Sequence, residues 1–249
     1  MQITSLKFNL RSLSKPYTHY SQVQDEMITS REKIYEEFPT VVLGTPVHHR
    51  VRVTTQLTNQ LTKYFGTVYQ EMRLNRDGLR ARIDFDTLVR YGRCRLAGEG
   101  DRIRTAALIE NNPDQGARDN SYVRYDLLPD ANARYRNRPE VQFRQTHYGR
   151  LLDIYYVEFI VDLNDPDETR EPYLLARVQE CVTGGLDATL RENPLVTYTR
   201  MKTPDIIHIE SINAVVGRVN IGNRTWAIID RSRHGARTQF VEENGEMFD

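Results

Sequence analysis

A chain of 249 residues with 34 basic and 34 acidic side chains has no net charge, and its 39% hydrophobic content is that of one or two folded domains, not of a disordered polyelectrolyte. No apolar run approaches the ~20 residues that a membrane-spanning helix needs, and the N-terminus lacks the apolar core of a secretory signal. Cys94 and Cys181 stand too far apart for a CxxC metal or redox motif and read as two buried, reduced thiols of an intracellular protein.

Residues 1–15 alternate (Ile3, Leu6, Phe8, Leu10, Leu13) and predict a strand or extended arm that ends at Pro16. Ser21 to Phe38 carries apolar residues near helical spacing, with Pro39 as a stop, and predicts a helix. The run from Val41 to Pro46 reads as a loop or short strand. A second helix follows, capped by Thr54 or Thr55, with Leu57, Leu61, Tyr64, Phe65, Val68 and Met72 in one apolar stripe. Gly78 breaks the chain after it.

From Ile83 the period changes to two. VRYGRCRL and DRIRTAALIE, joined by AGEG, predict a β-hairpin, followed by a surface loop from Asn111 to Asn120. Tyr122 to Leu127 and Tyr148 to Val161 alternate or are rich in Tyr, Ile and Val, and predict strands on either side of an arginine-dense connector, Ala131 to Pro139. PYLLARVQEC is another strand. Gly184 to Pro204 reads as a flexible excursion. IIHIESI and AVVGRVNIGNRTWAIID close the sheet, with a tight turn at Gly222-Asn223, before a solvated tail. The fold class expected is α+β: helices in residues 1–78, a mainly antiparallel β-barrel or strongly curved sheet in 79–233, and a tail in 234–249.

The basic residues are unusual in kind and in place. Of 34, 29 are arginine, and residues 1–150 hold 24 basic and 17 acidic side chains (24 − 17 = +7) against 10 and 17 in residues 151–249 (−7). Arginine grips phosphate in a planar, two-pronged contact, so the first half reads as a face for nucleic acid. Arg93, Arg95, Arg102 and Arg104 fall at i, i+2 spacing, each pair on one strand face, and Arg134, Arg136 and Arg138 lie in the connector. Tyrosines interleave with arginines at Tyr91, Tyr122, Tyr125, Tyr135 and Tyr148, where they could stack on bases while guanidinium groups hold phosphates. The competing reading buries the tyrosines and pairs the arginines with Asp119, Asp126 and Asp130.

Other chemistries find less support. Asp84, Asp86, Asp126, Asp153, Glu158 and Asp162 sit on predicted strands or their ends, but their spacing singles out no metal-binding triad, which leaves a divergent metal-dependent nuclease as the last-ranked reading. The six histidines form no i, i+4 pair on a helix, and no serine-hydrolase elbow, Walker loop or GxGxxG occurs. No metal or cofactor is expected. A small barrel could instead read a protein tail, with Tyr148, Tyr155, Tyr156 and Trp226 as an aromatic cage, or pair with another copy of itself.

The order VRYGRCRL, ARDNSYVRY, ARYRNRPEVQFRQTHYGRLLDIYYVEF and SINAVVGRV…WAIIDRS resembles the region downstream of the catalytic domain in transposases of CACTA-type and related fungal DNA transposons. The residues that carry it are Tyr148 to Ile154, Leu174-Leu175-Ala176 and Trp226 to Ile229, within roughly residues 50–233. The resemblance implies a non-catalytic nuclear module that binds DNA or assembles with a transposase catalytic domain or with itself. The carboxylate-bearing catalytic core of such transposases is not recognisable here.

Overall fold

A computed structural model describes residues 29–96, 101–111, 119–132, 139, 141–165, 169–190, 192 and 195–232. The predicted arm of residues 1–15, the AGEG turn, most of the connector and the tail lie outside the described residues. In chain order the elements are β1 (Glu32–Lys33), β2 (Val41–His48), α1 (Thr55–Val68), α2 (Arg76–Arg80), β3 (Ile83–Leu96), β4 (Arg102–Arg104), α3 (Ala106–Glu110), β5 (Tyr122–Leu127), β6 (Gln145–Ile160), β7 (Arg170–Glu180), β8 (Thr197–Tyr198), β9 (Asp205–His208), β10 (Ile212–Val215), β11 (Gly217–Gly222) and β12 (Thr225–Ile229).

β6 is the spine. Along one edge its first half pairs with β5 and its second half with β3; along the other it pairs with β7 almost throughout. The sheet continues from β3 to β2, β1 and β4, from β5 to β10, and from β7 to β9, with every pairing antiparallel. Register shifts between Leu151 and Asp153, Asp84 and Val89, and Gly44 and Val47 add twist at the middle of the long strands. The sheet accordingly curls into a half-barrel, as the turn spacing predicted. Val41, Leu43, Cys94, Ile103, Leu151, Ile154 and Leu174 fill its inside.

The shift within β6 also explains why both of its faces are apolar. Leu151 and Ile154 belong to the inner core, whereas Tyr155, Val157 and Phe159 belong to a second core covered by α1. The α1 stripe behaves as its spacing predicted. Thr54 caps the helix by accepting from the Leu57 N–H at 3.2 Å, and Leu57, Leu61 and Phe65 are buried, with Phe65 stacked on Phe159 at 4.6 Å. A third core, around Tyr122, Tyr148 and Cys181, lies beneath a separate sheet of β11, β12 and β8.

Four expectations are corrected. Residues 29–38 are not helical: Glu32 and Lys33 pair with Gly44 and Leu43, Tyr35 stacks on Tyr156 at 4.1 Å, and Phe38 enters the inner core. Strand pairing has overridden a helical spacing whose apolar residues serve different partners. β1 and β2 therefore share one sheet with the strands beyond residue 78. The strand expected over DRIRTAALIE stops at Arg104, because Thr105 caps α3 by accepting from the Leu108 N–H. The predicted flexible excursion from Gly184 is tied down in its described parts: Asp187 bonds Arg124, the Ala188 N–H bonds the Tyr148 hydroxyl, and Thr197–Tyr198 is β8. The tight turn expected at Gly222-Asn223 falls one residue later: Gly222 ends β11 opposite Thr225, and Asn223 and Arg224 make the turn with positive φ of 49° and 58°.

Candidate nucleic-acid interface

The hairpin register brings four predicted arginines together. Arg93 pairs with Arg104 and Arg95 with Arg102, directly across the β3–β4 ladder. Cys94 and Ile103, between them, point into the inner core and are buried, so all four guanidinium groups belong to the outer face. There they line one open cleft of about 480 Å³, joined by Arg31, Glu32 and Asn120. Among the described residues the charged lining is five arginines and one glutamate, a local balance of 5 − 1 = +4.

Several of these side chains are held in place. Gly44 lies opposite Arg93, and a Cβ there would come within 2.9 Å of Arg93 Cγ; its absence lets the arginine lie across β2 and donate from Nη2 to Thr45 Oγ1 at 2.7 Å. Arg104 Nε donates to Asn120 Oδ1 at 2.6 Å, and the Asn120 amide donates to the Arg102 carbonyl. Glu32 stands 3.8 Å from Arg95 and is itself fixed by the Thr29 N–H at 3.1 Å. Arg93 and Arg102 are the exposed members of the four.

Arginines elsewhere follow the competing reading. Arg124 is buried and bonds Asp187 at 2.8 Å and Asp230 at 2.9 Å, with Thr146 at 3.0 Å and Asp126 at 4.0 Å. Burial pushes the Asp187 carboxyl up, but bonds from the Thr189 hydroxyl and N–H, then Arg124, outweigh it and hold it at about 2. Arg144 donates to Asp126, and Arg150 to Glu110 at 2.7 Å with Asp119 at 3.7 Å. This cluster fastens the Asp187 and Asp230 segments to β5 and β6; it is a structural clamp. Arg134, Arg136 and Arg138 lie outside the described residues.

Four of the five interleaved tyrosines, Tyr91, Tyr122, Tyr125 and Tyr148, are buried and give no stacking platform, and Tyr135 lies outside the described residues. Among the described residues no aromatic side chain lines the arginine cleft. Nor do the four candidate cage aromatics make a cage: Tyr148 and Tyr155 are buried, Tyr156 stacks on Tyr35, and Trp226 packs on Arg218 at 4.0 Å. Four of the six carboxylates considered for a nuclease are paired with cations. Asp84 and Glu158 share Arg170, Asp153 lies between Arg90 and Arg177, and Asp126 holds Arg144. Among the described residues no group of three His, Cys, Asp or Glu could hold a metal ion. Burial pushes the thiols of Cys94 and Cys181 up to about 12, so neither is a reactive thiolate.

Sequence reasoning missed Arg31, Glu32 and Asn120. The first two fell in an expected helix and the third at a loop end, so no periodicity could bring them to the hairpin. No protein-family model matches the chain, and no curated protein or solved structure matches it either.

Proposed function

We propose that the chain is a non-catalytic module that binds nucleic acid, in the first instance DNA, through the β3–β4 arginine cleft. One observation carries the reading: Arg93–Arg104 and Arg95–Arg102 are like charges placed directly across a ladder. Such pairs destabilise a sheet by some tenths of a kcal/mol to about 1 kcal/mol each. A polyanion laid across them reverses the sign, because guanidinium groups spaced along two strands each meet a phosphate oxygen. With no aromatic ring among the described residues of the cleft, the contact is to the backbone and indifferent to base sequence. The transposase resemblance supports setting such a module in a nucleus, beside a catalytic domain or another copy.

Binding through phosphates releases counterions. If the cleft neutralises three phosphates, affinity falls about 40-fold between about 50 and 200 mM salt. Fluorescence anisotropy with a labelled duplex of about two helical turns, repeated for unrelated base sequences, measures this slope. The double variant Arg93→Ala/Arg102→Ala should lower it by about two for every sequence. A wild-type slope near zero, or a variant slope equal to the wild type's, would sink the proposal.

A further inference from the structure

The outer face of the large sheet carries further basic side chains beyond the cleft. Tyr155 belongs to the second core on that face, and Arg90 stands directly across the ladder from it, so Arg90 shares the face. His48 on β2 is in turn directly across from Arg90, which makes a third place, after Arg93–Arg104 and Arg95–Arg102, where two basic side chains oppose each other. Asp153 lies two residues before Tyr155, and Arg177 on β7 is directly across from it. One carboxylate, 8% exposed, thus lies between two guanidinium groups, 3.6 Å from Arg90 Nη1 and 3.2 Å from Arg177 Nε, and leaves a local balance of 2 − 1 = +1. Among the described residues the buried Arg177 Nε has that ion-pair neighbour but no hydrogen-bond partner.

β2 ends at His48, and the chain then runs through His49, Arg50, Val51 and Arg52 to α1, which covers the second core on the same face, with Val51 packed against that core. His48, His49, Arg50 and Arg52 are exposed. No Asp or Glu occurs between Glu37 and Glu71, so neither this segment nor α1 brings an acid of its own to neutralise them. The stretch of β3 that joins this region to the cleft is also uncharged. Between Arg93 and Arg90 stand Tyr91, which is buried, and Gly92, on which Pro46 packs too closely to admit a Cβ. Arg95 and Arg90 are five residues apart on one strand, roughly 17 Å at about 3.3–3.4 Å per residue.

We propose that nucleic acid held in the β3–β4 cleft continues along β3 onto a second basic site made by His48, Arg50, Arg52 and Arg90, with Arg177 at its flank. Each strand of a duplex carries a phosphate about every 3.4 Å along the axis, so the track corresponds to about five base pairs. The ligand class is therefore a polymer backbone, because one terminal phosphate or a compact phosphate anion reaches only one end of it. This extension rests on the nucleic-acid reading of the cleft. Asp153 limits its strength, since Arg90 and Arg177 each give part of their charge to that carboxylate.

Arg50→Ala/Arg52→Ala changes two exposed side chains and should keep the wild-type circular dichroism spectrum. With the full chain and a labelled duplex of about two helical turns, its salt slope should be lower than the wild type's by about two for every base sequence. Between about 50 and 200 mM salt the wild type then loses about 12-fold more affinity than the variant. Asp153→Asn keeps the shape of the side chain and releases Arg90 and Arg177; it should bind more tightly, with the slope raised by about one. A carboxylate that served folding alone would leave binding unchanged or weaken it. A slope in Arg50→Ala/Arg52→Ala equal to the wild type's overturns the second site, and if Arg93→Ala/Arg102→Ala still lowers the slope, the cleft stands without it. Binding by folded Asp153→Asn no tighter than the wild type's overturns the second site too; should that variant fail to fold, the exposed double variant decides alone. A wild type with no salt slope overturns both sites.

Discussion

Arg124 joins elements that are otherwise far apart in the chain, and its removal has a calculable signature. Its side chain is 2% exposed, and the carboxylates around it are 2% (Asp126), 13% (Asp187) and 0% (Asp230) exposed. Arg124→Met keeps most of the volume and deletes the charge, so three shielded carboxylates lose their common cation. Breaking a buried pair from one side costs about 3–5 kcal/mol, a large part of the 5–15 kcal/mol by which domains of this kind are stable. Urea unfolding at neutral pH should show that loss as a fall in midpoint with an unchanged slope. Arg144→Met is the control: it also meets Asp126 but is 44% exposed, and should cost less than about 1 kcal/mol. The pH profile separates charge from packing. Asp187 titrates at about 2 in the fold against 3.8 unperturbed, so its stabilisation, about 2 kcal/mol, is complete above pH 3.8 and is lost as pH falls toward 2. In Arg124→Met the Asp187 carboxyl loses one of the bonds that hold it down and is more easily protonated, so the deficit relative to wild type should shrink below pH 4. A deficit under 1 kcal/mol, or one that stays constant with pH, would refute the clamp.

Two further outcomes follow from burial. His208 lies against Phe38 with its ring tilted, 5.7 Å between centroids, and is largely out of solvent, which pushes its imidazole down to about 4 from 6.5. The unfolded chain therefore binds a proton that the folded one refuses between those values, and stability is full above pH 6.5 and falls by up to about 3 kcal/mol on acidification to pH 4. His208→Gln should flatten that part of a denaturation profile; an unaltered profile would count against the assignment. Gly149 crosses β7 so closely that a Cβ would come within 2.5 Å of Val178 Cγ1 and 2.8 Å of the Gln179 carbonyl oxygen. Gly149→Ala should cost about 1–3 kcal/mol in thermal or urea unfolding, and a neutral result would show that β6 and β7 can part there.

Periodicity carried the parts of the fold that rest on one face meeting one core. The α1 stripe, the β3–β4 hairpin and the β11–β12 turn are of this kind, and each was readable from residues within one helix or hairpin. What sequence could not show was pairing between distant segments. β1 exists because Glu32 and Lys33 meet β2, and Thr105 ends β4 by a cap whose signal is weaker than the alternation around it. The anchoring of the Gly184 excursion depends on Arg124 and Tyr148, both on strands more than thirty residues upstream. Bulges had a similar effect: the shift at Leu151–Asp153 changes which core β6 faces, and no regular alternation predicts it.

The same distinction separates the clamp arginines from those of the β3–β4 hairpin. A strand arginine finds a neutralising acid at i ± 2, across the ladder, or on a segment brought over it. Arg124 has Asp126 two residues on and receives Asp187 and Asp230 from outside; Arg170 lies across the ladder from Ile160, two residues from Glu158. On β3 and β4 these positions hold no carboxylate. Two residues away from the four arginines stand Tyr91, Ala97, Gly100 and Ala106 or another of the four; across the ladders stand Val42, Gly44 and each other. Among the described residues of the cleft Glu32 alone is acidic, and it reaches Arg95 diagonally from β1. Among the described residues, the positive balance of the cleft thus follows from the pairing of three strands. Arg102→Glu is the direct consequence: it places an acid across from Arg95 and should stabilise the hairpin against urea while abolishing the salt-dependent binding, whereas loss of stability together with unchanged binding would show that the arginine pairs cost the sheet nothing.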